Sequence, residues 1–285
     1  MILISDSGST KTDWALIENK EIIAQITTQG LNPTQQSSDS ITKILQEELL
    51  PQLDGKTPHA IHFYGAGCAY EEANNRMRKS LSETFPSSAI EINSDLLAAA
   101  RALCGHNEGI ACILGTGSNS CHYDGKAITD NIPPLGFILG DEGSGATLGR
   151  TLINSCLKRH LPQELSEKFL QEYDLNMAKI LEKVYHEPMP GRFLASLTPF
   201  LYEHRKHPEI HNMLIKCFKE FFINNSMAYR RSWLPIHIVG SIGVWFEEEI
   251  KEAAESLALS IGNIVKSPMK GLIEYHIEGT INQIN

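Results

Sequence analysis

The sequence predicts an α/β protein that is built from two related halves. Predicted strands alternate with predicted helices along the 285 residues, and this alternation is typical of layered α/β folds. A strand, a polar turn and a second strand occur at ILISDSGSTKTDW, and a similar unit occurs further on at CILGTGSNSCHY. Aligning the two units places Asp6 on Gly115 and Gly8 on Gly117. Such a repeat indicates two lobes, and the cleft between two lobes commonly holds a ligand.

The composition indicates a folded protein without a broad nucleic-acid-binding face. Hydrophobic residues make up 42% of the chain, which is enough for a large core and excludes disorder as the main state. Lys and Arg number 25 against 34 Asp and Glu, so the formal net charge is −9. An acidic chain is a poor match for a nucleic acid held by charge. Because the sequence has neither a signal peptide nor a long apolar run, we expect a cytoplasmic protein that does not bind a membrane.

The six cysteines are dispersed, and no two of them form a CxxC pair. In a cytoplasmic protein of this length they are expected to be reduced thiols. The histidines show no HExxH pattern, and the missing ligand spacing argues against a zinc or iron–sulfur site. A Gly-x-Ser-x-Gly elbow is also absent, so a hydrolase triad has little support.

The first half is predicted to open with a three-strand meander and to continue with alternating helices and strands. A loop at 30–33 separates the meander from the first helix, which Ser37 or Ser38 caps. The predicted strands are 2–5, 12–17, 22–28, 60–64 and 90–93. The predicted helices run from about 38 to 50, from 71 to 84, and from 96 to 103, the last being opened by Ser94 or Asp95.

The second half is predicted to begin with the repeated unit, a strand at 110–114 and another that runs through Tyr123. A glycine-rich loop at 136–145 leads into a helix that ends near His160. The stretch 163–230 is mostly helical. A strand at 236–239 ends in Gly-Ser-Ile-Gly, a helix follows from 245 to 260, and a short helix with a tail follows Pro268.

Four glycine-rich turns follow predicted strands or open predicted helices, at 6–11, 115–120, 140–145 and 240–243. Turns of small residues expose backbone N–H groups, which favour phosphate. The Walker A pattern and the GxGxxG fingerprint after a first strand are both absent. The turns therefore predict a nucleotide site that is neither a P-loop nor a Rossmann site.

Three aspartates stand beside these turns, and each has a structural and a functional interpretation. Asp6 either bonds its own turn or holds hydrated Mg²⁺. Asp95 either caps a helix or acts as a general base. Asp141 again either caps a helix or contributes to the site. Carboxylates near phosphate-binding turns suit phosphoryl transfer, which needs Mg²⁺ and a positioned hydroxyl.

The order of these motifs resembles that of the sugar kinase, heat-shock chaperone and actin superfamily. Asp6–Thr12 resembles its first phosphate motif, Leu114–Ser118 its second phosphate motif, and Val239–Gly243 its adenosine motif. Leu139–Gly145, with the sequence LGDEGSG, resembles the signature of the BadF/BadG/BcrA/BcrD-type ATPase family, whose sugar-handling branch is N-acetylglucosamine kinase. The resemblance covers nearly the whole chain.

This resemblance implies a two-lobed actin-like (ribonuclease H-like) ATPase fold, with two related βββαβαβα-type halves around a central cleft. The expected N-terminal lobe is 1–107 and the expected C-terminal lobe is 108–265. The segment 266–285 is expected to pack back on the N-terminal lobe. By analogy with the family, the helical region 163–230 is a candidate face for a homodimer.

The resemblance also implies ATP-dependent phosphorylation of the 6-hydroxyl of N-acetylglucosamine or a related amino sugar. Asp95 would be the catalytic base and would contact the sugar, and Asp6 would hold Mg²⁺ through water. The implied ATP contacts are Ser7, Gly8, Ser9, Thr10, Lys11, Thr116, Gly117, Gly240, Ser241 and Gly243. The other implied sugar contacts are Asn32, Ser118, Asn119, Gly136 and Asp141.

Two departures leave the sugar open among N-acetylglucosamine, N-acetylmuramic acid and glucosamine. Ser7 and Ser9 stand where many relatives carry glycine, and the chain is short for the family. Two other functions stay open. One is an ATPase that activates a partner dehydratase through a cysteine-ligated iron–sulfur cluster, which the dispersed cysteines disfavour. The other is a regulator that binds a sugar or nucleotide without catalysis.

Overall fold

The computed structural model describes residues 1–8 and 10–282, and the chain divides into two compact units. Unit 1 consists of 1–107, 125–127 and the segment from Ser267 onward, and unit 2 consists of 108–124 and 128–266. The strands are β1 (Ile2–Ser7), β2 (Lys11–Glu18), β3 (Glu21–Gln29), β4 (Ala60–Gly65), β5 (Ala89–Ser94), β6 (Glu108–Leu114), β7 (Ser118–Asp124), β8 (Ile128–Asp130), β9 (Ile236–Val239) and β10 (Ile261–Val265).

Most of the helices lie in unit 2. The helices are α1 (Ser38–Ile44), α2 (Glu71–Thr84), α3 (Asp95–Cys104), α4 (Gly136–Leu139), α5 (Gly145–Leu157), α6 (Gln163–Glu172), α7 (Met177–Tyr185), α8 (Pro190–Ala195), α9 (Thr198–Glu203), α10 (Pro208–Asn224), α11 (Ser241–Trp245), α12 (Glu247–Glu255) and α13 (Met269–Asn282). α1 continues through a π-helical turn at 45–49 and a 3₁₀ turn at 50–53.

Each unit contains a five-stranded mixed sheet, and the two sheets have the same topology. The order is β3-β2-β1-β4-β5 in unit 1 and β8-β7-β6-β9-β10 in unit 2. In each sheet the first three strands form an antiparallel meander, and the last two run parallel to the first strand. This arrangement confirms the predicted actin-like α/β fold with two related halves.

Strand alternation builds two cores on opposite faces of the unit 1 sheet, because successive side chains of a strand point to opposite faces. Leu3 and Trp14 pack with the side chains of α1 and α2 on one face. Ile4 and Ala15 pack on the other face, where α3 and α13 cover them. The C-terminal helix contributes two buried residues of that second core, Leu272 and Ile273.

The core of unit 2 is dominated by the helical stretch between β8 and β9. It is rich in aromatic side chains that α6, α9 and α10 contribute, and these bury large apolar areas. The fully buried rings are Phe169, Phe200, Phe218, Phe221, Phe222 and, from the residue between α11 and α12, Phe246. The helical character predicted for 163–230 is confirmed.

The structure differs from the sequence prediction in several elements, among them α4, which lies in the predicted loop 136–145. The sequence analysis missed β8, because a strand of three residues carries no periodicity. It also missed β10, whose Gly262 and Asn263 are poor strand formers. The ring of His237 fills the space beside Gly262, and the Asn263 amide donates to its Nδ1 at 3.0 Å. The helix predicted over 245–260 is confirmed only as the shorter α12 (Glu247–Glu255), and a separate short helix, α11, occupies 241–245 before it.

Over the described residues, no helix is both long enough and apolar enough to span a lipid bilayer.

Candidate functional site

The chemistry-bearing residues of unit 1 gather at the carboxyl ends of its three parallel strands. Ser7 of β1, Gly65 of β4 and Ser94 of β5 are opposite one another in register. Asp6 therefore lies inside β1, rather than in the turn where the sequence analysis placed it, and Asp95 directly follows β5. In open α/β sheets, ligands bind at the carboxyl ends of the strands.

Asp6 carries a carboxylate whose charge is poorly compensated. It is directly opposite Asp13 on the neighbouring strand β2. Burial and, to a lesser extent, the negative charges of Asp13 and Asp95 raise the pKa of Asp6 to about 6, although Lys11 and a hydrogen bond from the Ser267 hydroxyl act to lower it. A cation stabilises the charged form of a buried carboxylate that has other acidic groups nearby.

Asp95 is the first residue of α3, but it is not the cap. The Ser94 hydroxyl accepts the Leu97 amide at 3.2 Å and so caps the helix. One Asp95 oxygen accepts the adjacent Leu96 amide at 2.8 Å. Burial raises the pKa of Asp95 above its ordinary value. Because Ser94 serves as the cap, the capping interpretation of Asp95 is wrong, and its carboxylate is free for another role.

Asp13 belongs to this cluster, although the sequence analysis did not single it out. Its Oδ2 accepts the Lys11 ammonium at 2.5 Å, and its Oδ1 accepts the Thr27 hydroxyl of β3 at 2.9 Å. Lys11, a predicted ATP contact, is therefore held over the end of the sheet. The signal in the sequence is the alternation of Lys11, Thr12 and Asp13, which puts the first and third side chains on one face of β2.

Ser7 organises the loop that carries Asn32. The buried Ser7 hydroxyl lies 2.7 Å from the Thr12 hydroxyl, donates to the Leu31 carbonyl at 2.9 Å and accepts the Leu31 amide at 3.1 Å. Asn32 is also buried, and its side-chain oxygen accepts the Thr34 amide and hydroxyl. Ser7, a predicted ATP contact, thus positions the loop that carries Asn32, a predicted sugar contact.

A glycine makes room for Asn32 at the end of β4. Gly67 has a φ of +83°, and a Cβ there would overlap the Asn32 side-chain oxygen. Only glycine combines this backbone conformation with such a close approach. Cys68 follows and is buried, and its thiol pKa is raised to about 12 by burial and by Asp95. The loop after β4 therefore joins the Asn32 loop to the surroundings of Asp95.

In unit 2, the turn after β6 and the LGDEGSG loop are tied together by backbone hydrogen bonds. The Gly145 amide donates to the Gly115 carbonyl at 2.8 Å, and the Ala146 amide donates to the Thr116 carbonyl at 3.0 Å. Ser144, rather than a carboxylate, caps α5. The capping interpretation of Asp141 is therefore wrong as well.

Asp141 is held beside the turn after β6. Its carboxylate accepts the Ser118 backbone N–H, and a Cβ on Gly117 would lie 3.0 Å from its Oδ2. Its backbone has a φ of +52° and is fixed by a bond from the Thr147 hydroxyl to its carbonyl at 2.7 Å. Burial raises the pKa of the Asp141 carboxyl. A buried carboxylate on a left-handed backbone that hydrogen bonds hold in place makes Asp141 a candidate ligand contact.

The predicted adenosine motif lies at the end of β9, next to β6. Gly240 has a φ of +128°, and a Cβ there would overlap the Leu114 carbonyl. A Cβ on Gly243 would approach the Ile238 side chain at 2.7 Å. Both glycines are therefore required by close packing of the chain. Ser241 begins α11, so the helix starts inside this motif, four residues before the start at 245 that the sequence analysis predicted.

The remaining predicted contacts are distributed over both units. In unit 1, Gly8 and Thr10 lie in the turn between β1 and β2, and Ser9 lies outside the described residues. In unit 2, Thr116 is exposed in the turn after β6, and Asn119 accepts a hydrogen bond from Asn131 at 3.0 Å. Gly136, with a φ of +74°, begins α4 and has open space where a Cβ would stand.

The donor set of unit 1 suits a hydrated divalent cation better than direct metal ligation. Across the described ranges 1–8 and 10–282, no three His, Cys, Asp or Glu side chains are placed to hold a metal ion. A single carboxylate with two further acids nearby can hold Mg²⁺ through its water shell, since Mg²⁺ prefers oxygen ligands and keeps several waters. Asp6, with Asp13 and Asp95 around it, fits that requirement.

No family model matches the chain, and neither does any curated protein. Among solved structures, the chain is similar to a proposed N-acetylglucosamine kinase from Porphyromonas gingivalis. The two are 46% identical with a TM-score of 0.92, and the match covers 97% of this chain and 98% of that chain.

Two more distant structures share the fold. A proposed N-acetylglucosamine kinase from Chromobacterium violaceum is 15% identical, with a TM-score of 0.65 over 96% of this chain and 98% of that one. A ROK family protein from Streptococcus pneumoniae, in complex with sucrose, is 13% identical, with a TM-score of 0.51 over 98% of this chain and 99% of that one.

Proposed function

Because this chain belongs to the N-acetylglucosamine kinase-like branch of the sugar kinase, heat-shock chaperone and actin superfamily, we propose that it is an ATP-dependent sugar kinase. Its proposed reaction transfers the γ-phosphoryl group of ATP to the 6-hydroxyl of N-acetylglucosamine or a related amino sugar. The observation that carries the proposal is the Asp95 carboxylate, which is released from capping by Ser94 and lies near Asp6.

Asp95 is proposed as the general base that accepts the proton of the sugar hydroxyl. Its raised pKa brings the carboxylate closer to the basicity that is useful at neutral pH. The Leu96 amide and the backbone amide of Asp95 itself donate to the carboxylate and orient it. The buried Asn32, fixed by Thr34, is proposed to bind a sugar hydroxyl in the same unit.

Asp6 is proposed to hold the water shell of Mg²⁺. Bound Mg²⁺ would neutralise the charge of the β- and γ-phosphates during transfer. Lys11, held by Asp13, offers an ammonium to a phosphate oxygen, and Gly8 and Thr10 belong to the turn that is proposed to contact the phosphates. Ser9 completes the proposed phosphate contacts of this turn.

In unit 2, two groups of proposed contacts serve the nucleotide. The turn after β6, which contains Thr116 and Gly117, is proposed to contact the phosphates. The proposed adenosine site consists of Gly240, Ser241 and Gly243. A third group of residues is proposed to bind the sugar, and Asp141 is the only acidic residue among them. The other proposed sugar contacts of unit 2 are Ser118, Asn119 and Gly136.

The cysteines favour a kinase over an ATPase that activates a dehydratase. All six are buried, and none forms a disulfide within the described residues. An iron–sulfur cluster shared between two subunits needs cysteine thiolates at a surface. Burial instead raises the pKa of Cys104 to about 12 and that of Cys217 to about 11. These thiols are therefore poor cluster ligands as they stand.

An ATP-coupled kinase assay with Mg²⁺ tests the proposal. The panel is N-acetylglucosamine, N-acetylmuramic acid, glucosamine, N-acetylmannosamine and glucose, with the wild type, Asp95→Ala and Asp39→Ala. Asp39 is the matched control, because it lies exposed in the first turn of another helix, α1. We expect turnover that depends on an amino sugar, is lost in Asp95→Ala and is kept in Asp39→Ala. ATP turnover that is indifferent to every sugar would overturn the proposal and favour a partner-activating ATPase.

A further inference from the structure

A partly buried polar network lies on the face of the unit 1 sheet that α3 and α13 cover, and the proposed reaction does not use it. At its centre is Arg101 of α3, whose side chain is 14% exposed. One guanidinium nitrogen, Nη1, donates to Glu91 of β5 at 3.1 Å and to the Tyr64 hydroxyl of β4 at 2.6 Å. A single side chain thus links one helix to two neighbouring strands of the sheet.

The network extends over four elements, β4, β5, α3 and α13. The two carboxylate oxygens of Glu91 have different partners, because Oε1 accepts Arg101 and Oε2 lies 2.7 Å from Nδ1 of His62 on β4. The Tyr64 hydroxyl, which accepts Arg101, lies 2.9 Å from Nε2 of His276 on α13. The His62 and His276 rings are in contact, with their centroids 3.9 Å apart. The C-terminal helix is therefore part of the same network as the two strands.

The charges of the network assign a role to each group. The hydrogen bond with His62 and the charge of Arg101 hold the pKa of Glu91 well below its ordinary value, so the carboxylate stays charged. Burial and the neighbouring His62 and Arg101 lower the pKa of His276 to about 3, so its ring is neutral at pH 7. In the tautomer that carries the proton on Nδ1, its Nε2 accepts a hydrogen bond from Tyr64. Removing one partner of such a network is costly, because the other partner is left buried and unpaired.

Asp95 lies at the corner that this network spans. β5 ends at Ser94 and α3 begins at Asp95, so no loop separates the strand from the helix. Glu91 precedes Asp95 by about 13 Å along the strand, and Arg101 follows Asp95 by about 9 Å along the helix. The ion pair between Glu91 and Arg101 therefore closes a triangle whose apex is Asp95, and it constrains the angle between the strand and the helix.

We propose that Arg101 is a positioning residue for Asp95, and that its ion pair with Glu91 is a brace that holds the corner between β5 and α3. Tyr64, which is itself bonded to His276 of the C-terminal helix, keeps the guanidinium of the brace in place. A misplacement of about 1 Å at a reacting group can lower a rate by about a hundredfold. A carboxylate that accepts the proton of a substrate therefore needs such a brace. The inference rests on the proposed function, which makes Asp95 the general base.

Amide hydrogen exchange on the full chain tests the brace without substrate. The backbone amides of Leu96 and Leu97 bond side chains at the corner, so they report on its order. In Arg101→Met these amides should exchange at least tenfold faster than in the wild type, while exchange in α2 stays the same. Arg78→Met is the matched control, because Arg78 is exposed and donates to a side chain of its own helix. An unchanged corner, or an equal acceleration throughout unit 1, would overturn the proposal.

Steady-state kinetics in the coupled assay separates positioning from stability. Arg101→Met should lower kcat at least tenfold and change the KM for ATP less than twofold, because it displaces the base and leaves the proposed nucleotide contacts alone. Leu81→Ala removes a fully buried side chain from the core on the opposite face of the sheet. It should lower the Tm and keep kcat. A normal kcat in folded Arg101→Met, or an equal loss of kcat in Leu81→Ala, would overturn the positioning role.

A double-variant cycle tests whether Glu91 and Arg101 act as one brace. Glu91→Gln should also lower kcat, and the double variant with Arg101→Met should lose no more than the larger single loss, since both changes cut the same ion pair. Losses that multiply would overturn the pairing. The exchange measurement needs no sugar, so a failure of the brace can be told apart from a failure of the proposed kinase activity, which the coupled assay on the wild type measures.

Discussion

The two units share one strand topology but differ in what stands at the end of the first strand. β1 ends in Asp6 and Ser7, both polar, and β6 ends in Ile113 and Leu114, both apolar. Unit 1 thus places acidic groups at its strand ends, whereas unit 2 places glycine turns packed tightly on Leu114 and Asp141. The same strand framework therefore carries different chemical groups in the two units, and we propose that this difference separates catalysis in unit 1 from binding in unit 2.

The largest loss of activity is expected from a change at the acidic end of β1. Asp6→Asn should lower kcat/KM about a thousandfold and raise the Mg²⁺ concentration needed for half-maximal activity, because the amide no longer attracts a hydrated cation. Asp54→Asn, at an exposed turn of the same unit, is the control. Equal Mg²⁺ dependence in wild type and Asp6→Asn would refute this role for unit 1.

In unit 2, the largest loss of stability is expected from a substitution at Gly240. Gly240→Ala combines an overlap with the Leu114 carbonyl and a φ of +128°, so it should lower the free energy of unfolding by about 3–5 kcal/mol. Gly55 is the matched control, with a φ of +73° and no atom within 4 Å of the place where an alanine methyl would stand. Gly55→Ala should cost only about 1 kcal/mol. Similar losses in urea unfolding of the two variants would show that packing at Gly240 is unimportant.

The acidic cluster of unit 1 predicts a pH dependence of stability. The pKa of Asp6 is raised to about 6 by burial and by its acidic neighbours, so between pH 4 and 6 the folded protein binds more protons than the unfolded chain. The contribution of Asp6 is fully present below about pH 4 and is lost as the pH rises through about 6. Relative to Asp6→Asn, the metal-free wild type should lose up to about 3 kcal/mol over that range.

Thermal unfolding of both proteins in chelator, from pH 4 to pH 7, provides the measurement. A constant difference in Tm between wild type and Asp6→Asn would show that the Asp6 carboxyl titrates normally. The expected result is that the Tm of the wild type falls relative to that of Asp6→Asn as the pH rises.

The smallest effect concerns the loop that Ser7 organises. Ser7→Ala removes a buried hydroxyl that bonds both the Leu31 carbonyl and the Leu31 amide, which should cost about 1–2 kcal/mol. Since Asn32 follows Leu31, the KM for the sugar should rise more than the KM for ATP. A selective rise in the KM for ATP would instead assign Ser7 to the nucleotide.

The sequence predicted the parts of the fold that have strong local signals. The meander and α2 follow from period-two and helical patterns, and α2 spans the predicted 71–84. β8 and β10 were missed, because their pairing with neighbouring strands, rather than their own residues, makes them strands.

The candidate site could be proposed from the sequence because its motifs are local. The capping roles of Ser94 and Ser144 exclude the capping interpretation of Asp95 and Asp141, and their functional roles stay predictions. The link from Asp13 to Thr27 depends on strand register. This pairing is not visible in sequence spacing.

The most direct test of the central claim compares nucleotide binding with turnover in Asp95→Asn. Calorimetry should give an ADP affinity within about threefold of the wild type, while sugar-dependent turnover falls by about a hundredfold to ten-thousandfold, the contribution of a general base. That result would place the chemistry in unit 1 at Asp95 and leave nucleotide binding intact. Retained turnover, or lost ADP binding in a folded variant, would contradict the account.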